Sequence, residues 1–90
     1  MSAITVEIFV GSDNATGHVD RDALYRILDA RHDGYTVTDA VGAWRGQREE
    51  SVRIVLADDP DAVGATLVAL RDGLAQDAVA YRQISDLLFV

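Results

Sequence analysis

The fold turns on Tyr35-Thr36-Val37-Thr38-Asp39-Ala40-Val41-Gly42-Ala43-Trp44-Arg45-Gly46-Gln47-Arg48-Glu49-Glu50-Ser51-Val52-Arg53-Ile54-Val55-Leu56-Ala57. Tyr35-Thr36-Val37-Thr38 opens a strand that runs over 35–45, because β-branched and aromatic side chains fit a pleated surface. Arg45–Glu50 is polar throughout and supplies a turn. Ser51–Ala57 is a further strand, with Val52, Ile54 and Leu56 alternating onto one face. Two such strands around a short polar turn form a hairpin. Gly42 inside the pattern predicts a bulge or a close backbone approach.

On either side of this hairpin lies a strand–helix or helix–strand unit. Ile4, Val6, Ile8 and Val10 alternate with Thr5, Glu7 and Phe9 in a first strand that stops at Gly11-Ser12-Asp13-Asn14. A helix over 20–32 follows. Asp20 is its N-cap, Leu24, Ile27 and Leu28 are its apolar centre, and Asp22 and Arg26 can pair across one turn. Asp33-Gly34 is its stop, with Gly34 suited to a left-handed position. After the hairpin, Asp58-Asp59-Pro60 starts a second helix that runs to about residue 76, with Val63, Leu67, Leu70 and Leu74 as its stripe. Residues 78–83 alternate again, and Leu87-Leu88-Phe89-Val90 forms an extra C-terminal apolar segment.

The order is therefore βαββαβ in a single domain of 90 residues, 1–90, which is the α+β ferredoxin-like sandwich. Right-handed crossovers put both helices on one face of a four-stranded antiparallel sheet, with the first and third strands central. The other face stays bare. It carries Thr5, Glu7, Phe9, Arg53 and Val55, joined by Trp44. Exposed Phe9, Val55 and Trp44, with the C-terminal run, give the chain a reason to form a homo-oligomer, a trimer or dimer.

Composition narrows the function. The chain has no cysteine, which excludes disulfides, thiol catalysis and Cys-based metal centres. Fifteen acids against eight bases leave a net charge of −7, which argues against nucleic-acid partners and anionic membranes. All eight bases are Arg, a pattern that fits either GC-rich coding or salt adaptation. The start of the chain shows no basic region followed by an apolar run, and no apolar stretch is long enough to span a bilayer, so a cytoplasmic protein is expected.

No catalytic constellation stands out. Ser12 and Ser51 lack a histidine at a suggestive spacing, so no catalytic residue is assigned and the chain reads as a non-enzyme. His18 with Asp20 and Asp22 falls short of a metal set, His32 reads as a helix C-terminal charge, and no metal or cofactor is assigned. Glu49-Glu50 and Asp58-Asp59 are neighbours in sequence and point opposite ways in an extended chain. The Gly11–Gly17 loop reads as a phosphate cradle or as an Asx-turn with a helix cap.

The densest chemistry is at the hairpin end. Trp44 can stack on a planar ligand, Arg45 and Arg48 can grip an anion, and Gly42 permits close approach. The alternative is that Trp44 anchors packing and the charges form a solvated turn.

Gly34-Tyr35-Thr36-Val37 followed by Gly42-x-Trp44-x-Gly46-x-x-Glu49-x-Ser51, with Phe9-Val10-Gly11-Ser12-Asp13-Asn14, resembles small bacterial and phage proteins related to the PII-like and CutA-like signalling families. That resemblance implies a ferredoxin-like fold, commonly a trimer, with small ligands held in clefts between subunits. It carries over Trp44, Arg45, Glu49 and Ser51 as motif positions. Joined with Arg48, Ser12, Asp13 and Asn14, they make a candidate site for a small anionic, nucleotide-like ligand. Signal binding or sequestration, as in a phage anti-defence sponge, is the implied role. The other reading is a protein–protein interaction module that uses the open sheet face or the C-terminal strand.

Overall fold

In the computed structural model, which describes residues 2–90, the elements are β1 (Ile4–Gly11), α1 (Arg21–Asp29), β2 (Thr36–Trp44), β3 (Gln47–Asp58), α2 (Pro60–Gly73) and β4 (Ala80–Ile84). The strands form one antiparallel sheet in the order β2-β3-β1-β4, with β1 and β3 central as expected. The core lies between the sheet and the helices. Val6, Ile8 and Val10 of β1 and Val52, Ile54 and Leu56 of β3 bury there against Leu24 and Leu28 of α1 and Val63 and Leu70 of α2.

Both helix starts follow their sequence signals. The Asp20 carboxylate accepts from the Ala23 N–H, and the Asp59 carboxylate accepts from the Ala62 N–H just ahead of Pro60. Both helix ends come earlier than expected. α1 stops at Asp29, and the positive-φ glycines among the described residues are Gly17 and Gly46, so Gly34 is not a left-handed cap. Asp22 and Arg26 form no ion pair among the described residues.

His32 is not a solvated helix-end charge. Its side chain is buried, with Nδ1 2.8 Å from Asp58 Oδ2 and Nε2 2.6 Å from Thr66 Oγ1. One ring thus ties the end of α1 to the end of β3 and to the inner face of α2.

The hairpin differs from expectation in its turn. Only Arg45 and Gly46 lie outside the strands, with φ of 50° and 79°, the left-handed pair that a two-residue hairpin turn requires. Gln47–Glu50, expected in the turn, pair with Val41–Trp44 in unbroken register. Gly42 therefore marks no bulge.

The sheet face away from the helices is less bare than expected. Thr5 and Glu7 are buried, at 2% and 4% exposure, whereas Phe9 is 40% exposed. Non-local partners cover Glu7. Arg53, across the β1–β3 pair, and Arg82, across the β1–β4 pair, both donate to its carboxylate, Arg82 at 2.7 Å. These bonds, the one from Arg53 foremost, hold the Glu7 carboxyl below its ordinary range. Leu87 and Phe89 lie beside Val55 and Ala57 at the far end of this face, yet Leu88 and Phe89 remain almost fully exposed.

Candidate functional site

β1 ends at Gly11, opposite Ser51, while β2 and β3 continue to the turn. The hairpin end is consequently a two-stranded arm with no third strand beside it. Strand alternation sends Gly42, Trp44, Glu49 and Ser51 to the side of the open face, and Ala43, Arg48 and Glu50 to the helix side. Glu49 and Glu50 do point opposite ways.

On the helix side, Glu50 fastens the arm to the loop after β1. Its carboxylate lies 3.0 Å from His18 Nδ1 and accepts from Arg21 at 3.1 Å and from the Val19 N–H at 3.4 Å. These bonds, the one from His18 first, hold the Glu50 carboxyl below its ordinary range. Arg21 also reaches Asp39 of β2 at 2.8 Å.

On the other side, a cleft of about 730 Å³ opens between three segments. The end of β1 and its loop contribute Phe9, Gly11, Ser12 and Asn14. The arm contributes Ala40, Gly42, Trp44, Glu49 and Ser51. The third wall is the Ala75–Ala80 segment that joins α2 to β4.

Glu49 is seated across this cleft by two glycines. A Cβ on Gly11 would lie 2.9 Å from Glu49 Oε1, and a Cβ on Gly42 would lie 3.4 Å from Glu49 Cγ. Gly42 is thus the close approach its position predicted. Ser12 Oγ donates to Glu49 Oε2 at 3.1 Å. Trp44 is 70% exposed, and the Arg45 guanidinium sits over its ring, 5.6 Å from the centroid, within cation–π range.

The structure therefore brings together Ser12, Asn14, Trp44, Glu49 and Ser51, with Arg45 at the rim on Trp44. Arg48 does not line the cleft; it is exposed on the opposite side of the arm, paired with Ala43. Asp13 does not line it either. Its carboxylate accepts from the Ala15 N–H at 2.7 Å and its carbonyl from the Gly17 N–H at 2.7 Å, the Asx-turn reading of the loop. The walls outside the site drawn from the sequence include Phe9, Gly11 and Ala75–Ala80. The Ala75–Ala80 segment carries no motif that marks it in the sequence; in the fold it leaves α2 through a left-handed Ala75, φ 53°.

Among the described residues no group of three or more His, Asp or Glu side chains is placed to hold a metal ion, and no helix is long and apolar enough to cross a membrane. His32, Asp58 and Thr66 line up like a catalytic triad, but Thr66 is fully buried, so no substrate can reach its hydroxyl.

No protein-family model and no curated protein matches this sequence. Solved structures do match its fold. CutA1 from Oryza sativa superposes with a TM-score of 0.61 at 14% identity, over 98% of this chain and 84% of that one. CPII, a nitrogen regulatory PII-like protein from Thiomonas intermedia K12 bound to ADP, AMP and bicarbonate, gives 0.59 at 17% identity, over 98% of both chains. A phage SAM lyase in complex with S-methyl-5′-thioadenosine gives 0.56 at 20% identity, over 89% of this chain and 78% of that one. At these identities the likeness establishes the ferredoxin-like fold that CutA-like and PII-like proteins share with this chain.

Proposed function

We propose that this chain is a non-enzymatic, homo-oligomeric binding protein for a small anionic, nucleotide-like ligand, serving to sense or sequester it. The observation that carries this reading is the cleft. An exposed tryptophan stands over about 730 Å³ walled by the end of β1, the hairpin arm and the α2–β4 segment. Trp44 and Phe9 offer faces for a base, Ser12, Asn14 and Ser51 offer polar contacts, and Arg45 supplies positive charge at the mouth. Two structures of like fold hold adenine nucleotides or an adenine thioether, which makes that ligand class the first to test. The exposed Leu87 and Phe89 supply apolar surface for a second subunit.

Trp44 is the sole tryptophan, so its fluorescence reports the site directly. Titration with AMP or ADP is expected to change the emission saturably, with matching heats in calorimetry. Absence of both signals for both nucleotides overturns the reading. Incubation with S-adenosylmethionine covers turnover: the proposal expects the compound to be recovered unchanged.

A protein–protein interaction module is the second reading, favoured by Leu88 and Phe89, which are about nine-tenths exposed. It expects a single partner protein to be retained irrespective of nucleotide.

A further inference from the structure

The polarity of the cleft sets which end of a ligand it admits. Among the described residues, the charged ones that line it are Glu49 and Asp77, both acids, and no Arg or His does. Arg45, the neighbouring base, lies at the hairpin tip over the Trp44 ring. A phosphate driven into the cleft would meet like charge in a partly desolvated space, whereas hydrogen-bond donors would meet acceptors.

Glu49 is the better placed of the two acids. Asp77 is exposed, whereas Glu49 is half-buried and lies flat against Gly11 and Gly42, where any larger residue at 11 would displace it. Ser12 holds Oε2, and Oε1 accepts no hydrogen bond among the described residues. A carboxylate with one oxygen held by Ser12 and the other, over the Gly11 backbone, without a hydrogen-bond partner among the described residues can accept from ligand hydroxyls.

We propose that Glu49 is the specificity-determining residue of the cleft, accepting hydrogen bonds from the ribose diol of a nucleotide that enters sugar-first, with its phosphate left at the mouth beside Arg45. This rests on the nucleotide-binding reading above. The two glycines are then part of the recognition device, since they give the carboxylate its seat.

The test is calorimetric titration of AMP and 2′,3′-dideoxy-AMP into the unaltered chain and into Glu49→Gln. AMP affinity is expected to fall about tenfold or more in Glu49→Gln, the loss of a charge-assisted contact. Removing the diol is expected to cost the unaltered chain a similar factor and Glu49→Gln little more, because the two changes delete one interaction. Gly11→Ala is expected to weaken AMP while leaving the charge in place. Unchanged or tighter AMP binding by Glu49→Gln overturns the assignment and leaves nucleotide binding standing; tightening would mean that the phosphate lies inward. Failure of the unaltered chain to bind AMP at all overturns both.

Discussion

His32 Nδ1 lies 2.8 Å from the Asp58 carboxylate, and the opposite ring nitrogen lies 2.6 Å from Thr66 Oγ1. Thr66 in turn donates to the Ala62 carbonyl at 2.9 Å. The chain leaves α1, turns, and leaves β3 toward α2 at this one buried point. His32→Ala removes the ring, opens a cavity and strips one of two partners from the buried Thr66 hydroxyl. It is expected to destabilise the fold by about 2–4 kcal/mol. Urea denaturation measures this, and AMP affinity of the folded fraction should stay unchanged, because the ring lies outside the cleft.

The pH dependence follows from three carboxylates. Glu7, Glu50 and Asp58 all titrate below their ordinary values in the folded chain, because of hydrogen bonds from Arg53, His18 and His32 respectively. A depressed folded pKa means that the unfolded chain takes up protons first as pH falls. Their stabilisation is therefore complete above the ordinary carboxyl range, about pH 4–4.5, and is lost as pH drops through the lower folded values. The urea midpoint should fall as pH drops below about 4. In Glu7→Gln the acid fall should be shallower, and an unchanged slope would remove Glu7 from the account.

The turn sets stability against binding. Arg45 occupies a left-handed conformation that favours Asn or Gly, and Gly46 occupies another. Arg45→Asn is expected to stabilise the chain by a few tenths to about 1 kcal/mol while weakening AMP, whose phosphate loses its cation. Gly46→Val is expected to destabilise by about 1 kcal/mol or more. Thermal melts and calorimetry on the two variants separate these effects.

Trp44 separates a ligand contact from a packing anchor. It is 70% exposed in the single chain, so Trp44→Ala should shift the stability of an isolated subunit by no more than about 0.5 kcal/mol. Loss of AMP binding with the oligomer intact supports stacking on the ligand. Dissociation of the oligomer in sedimentation would assign Trp44 to the subunit interface instead.

Much of the fold was legible because its signals are local. The alternation of Ile4–Val10, the Asp20 cap and the Asp59-Pro60 start each depend on residues within one turn or one strand of each other. The length of the hairpin turn was hidden for a physical reason. Gln47–Glu50 project past β1 with no core beneath either face, so nothing enforces alternation of polarity, and a polar strand looks like a turn. The burial of Glu7 was hidden because its partners stand 46 and 75 residues away.

At the cleft, the lining residues with distinctive chemistry were singled out in the sequence and the other walls were not. Trp44, Glu49 and Ser12 carry functional groups that mark them in a sequence. Gly11 and Ala75–Ala80 matter for the space they leave, which only their placement reveals. Arg48 and Glu49 were grouped as neighbours, yet strand alternation sends them to opposite sides of the arm.

Native mass spectrometry of the purified chain with added AMP tests the central claim most directly, because it counts subunits and ligands together. The account predicts a single multimer that carries up to one AMP mass per subunit and loses it in Trp44→Ala. A monomer that retains no nucleotide would contradict it.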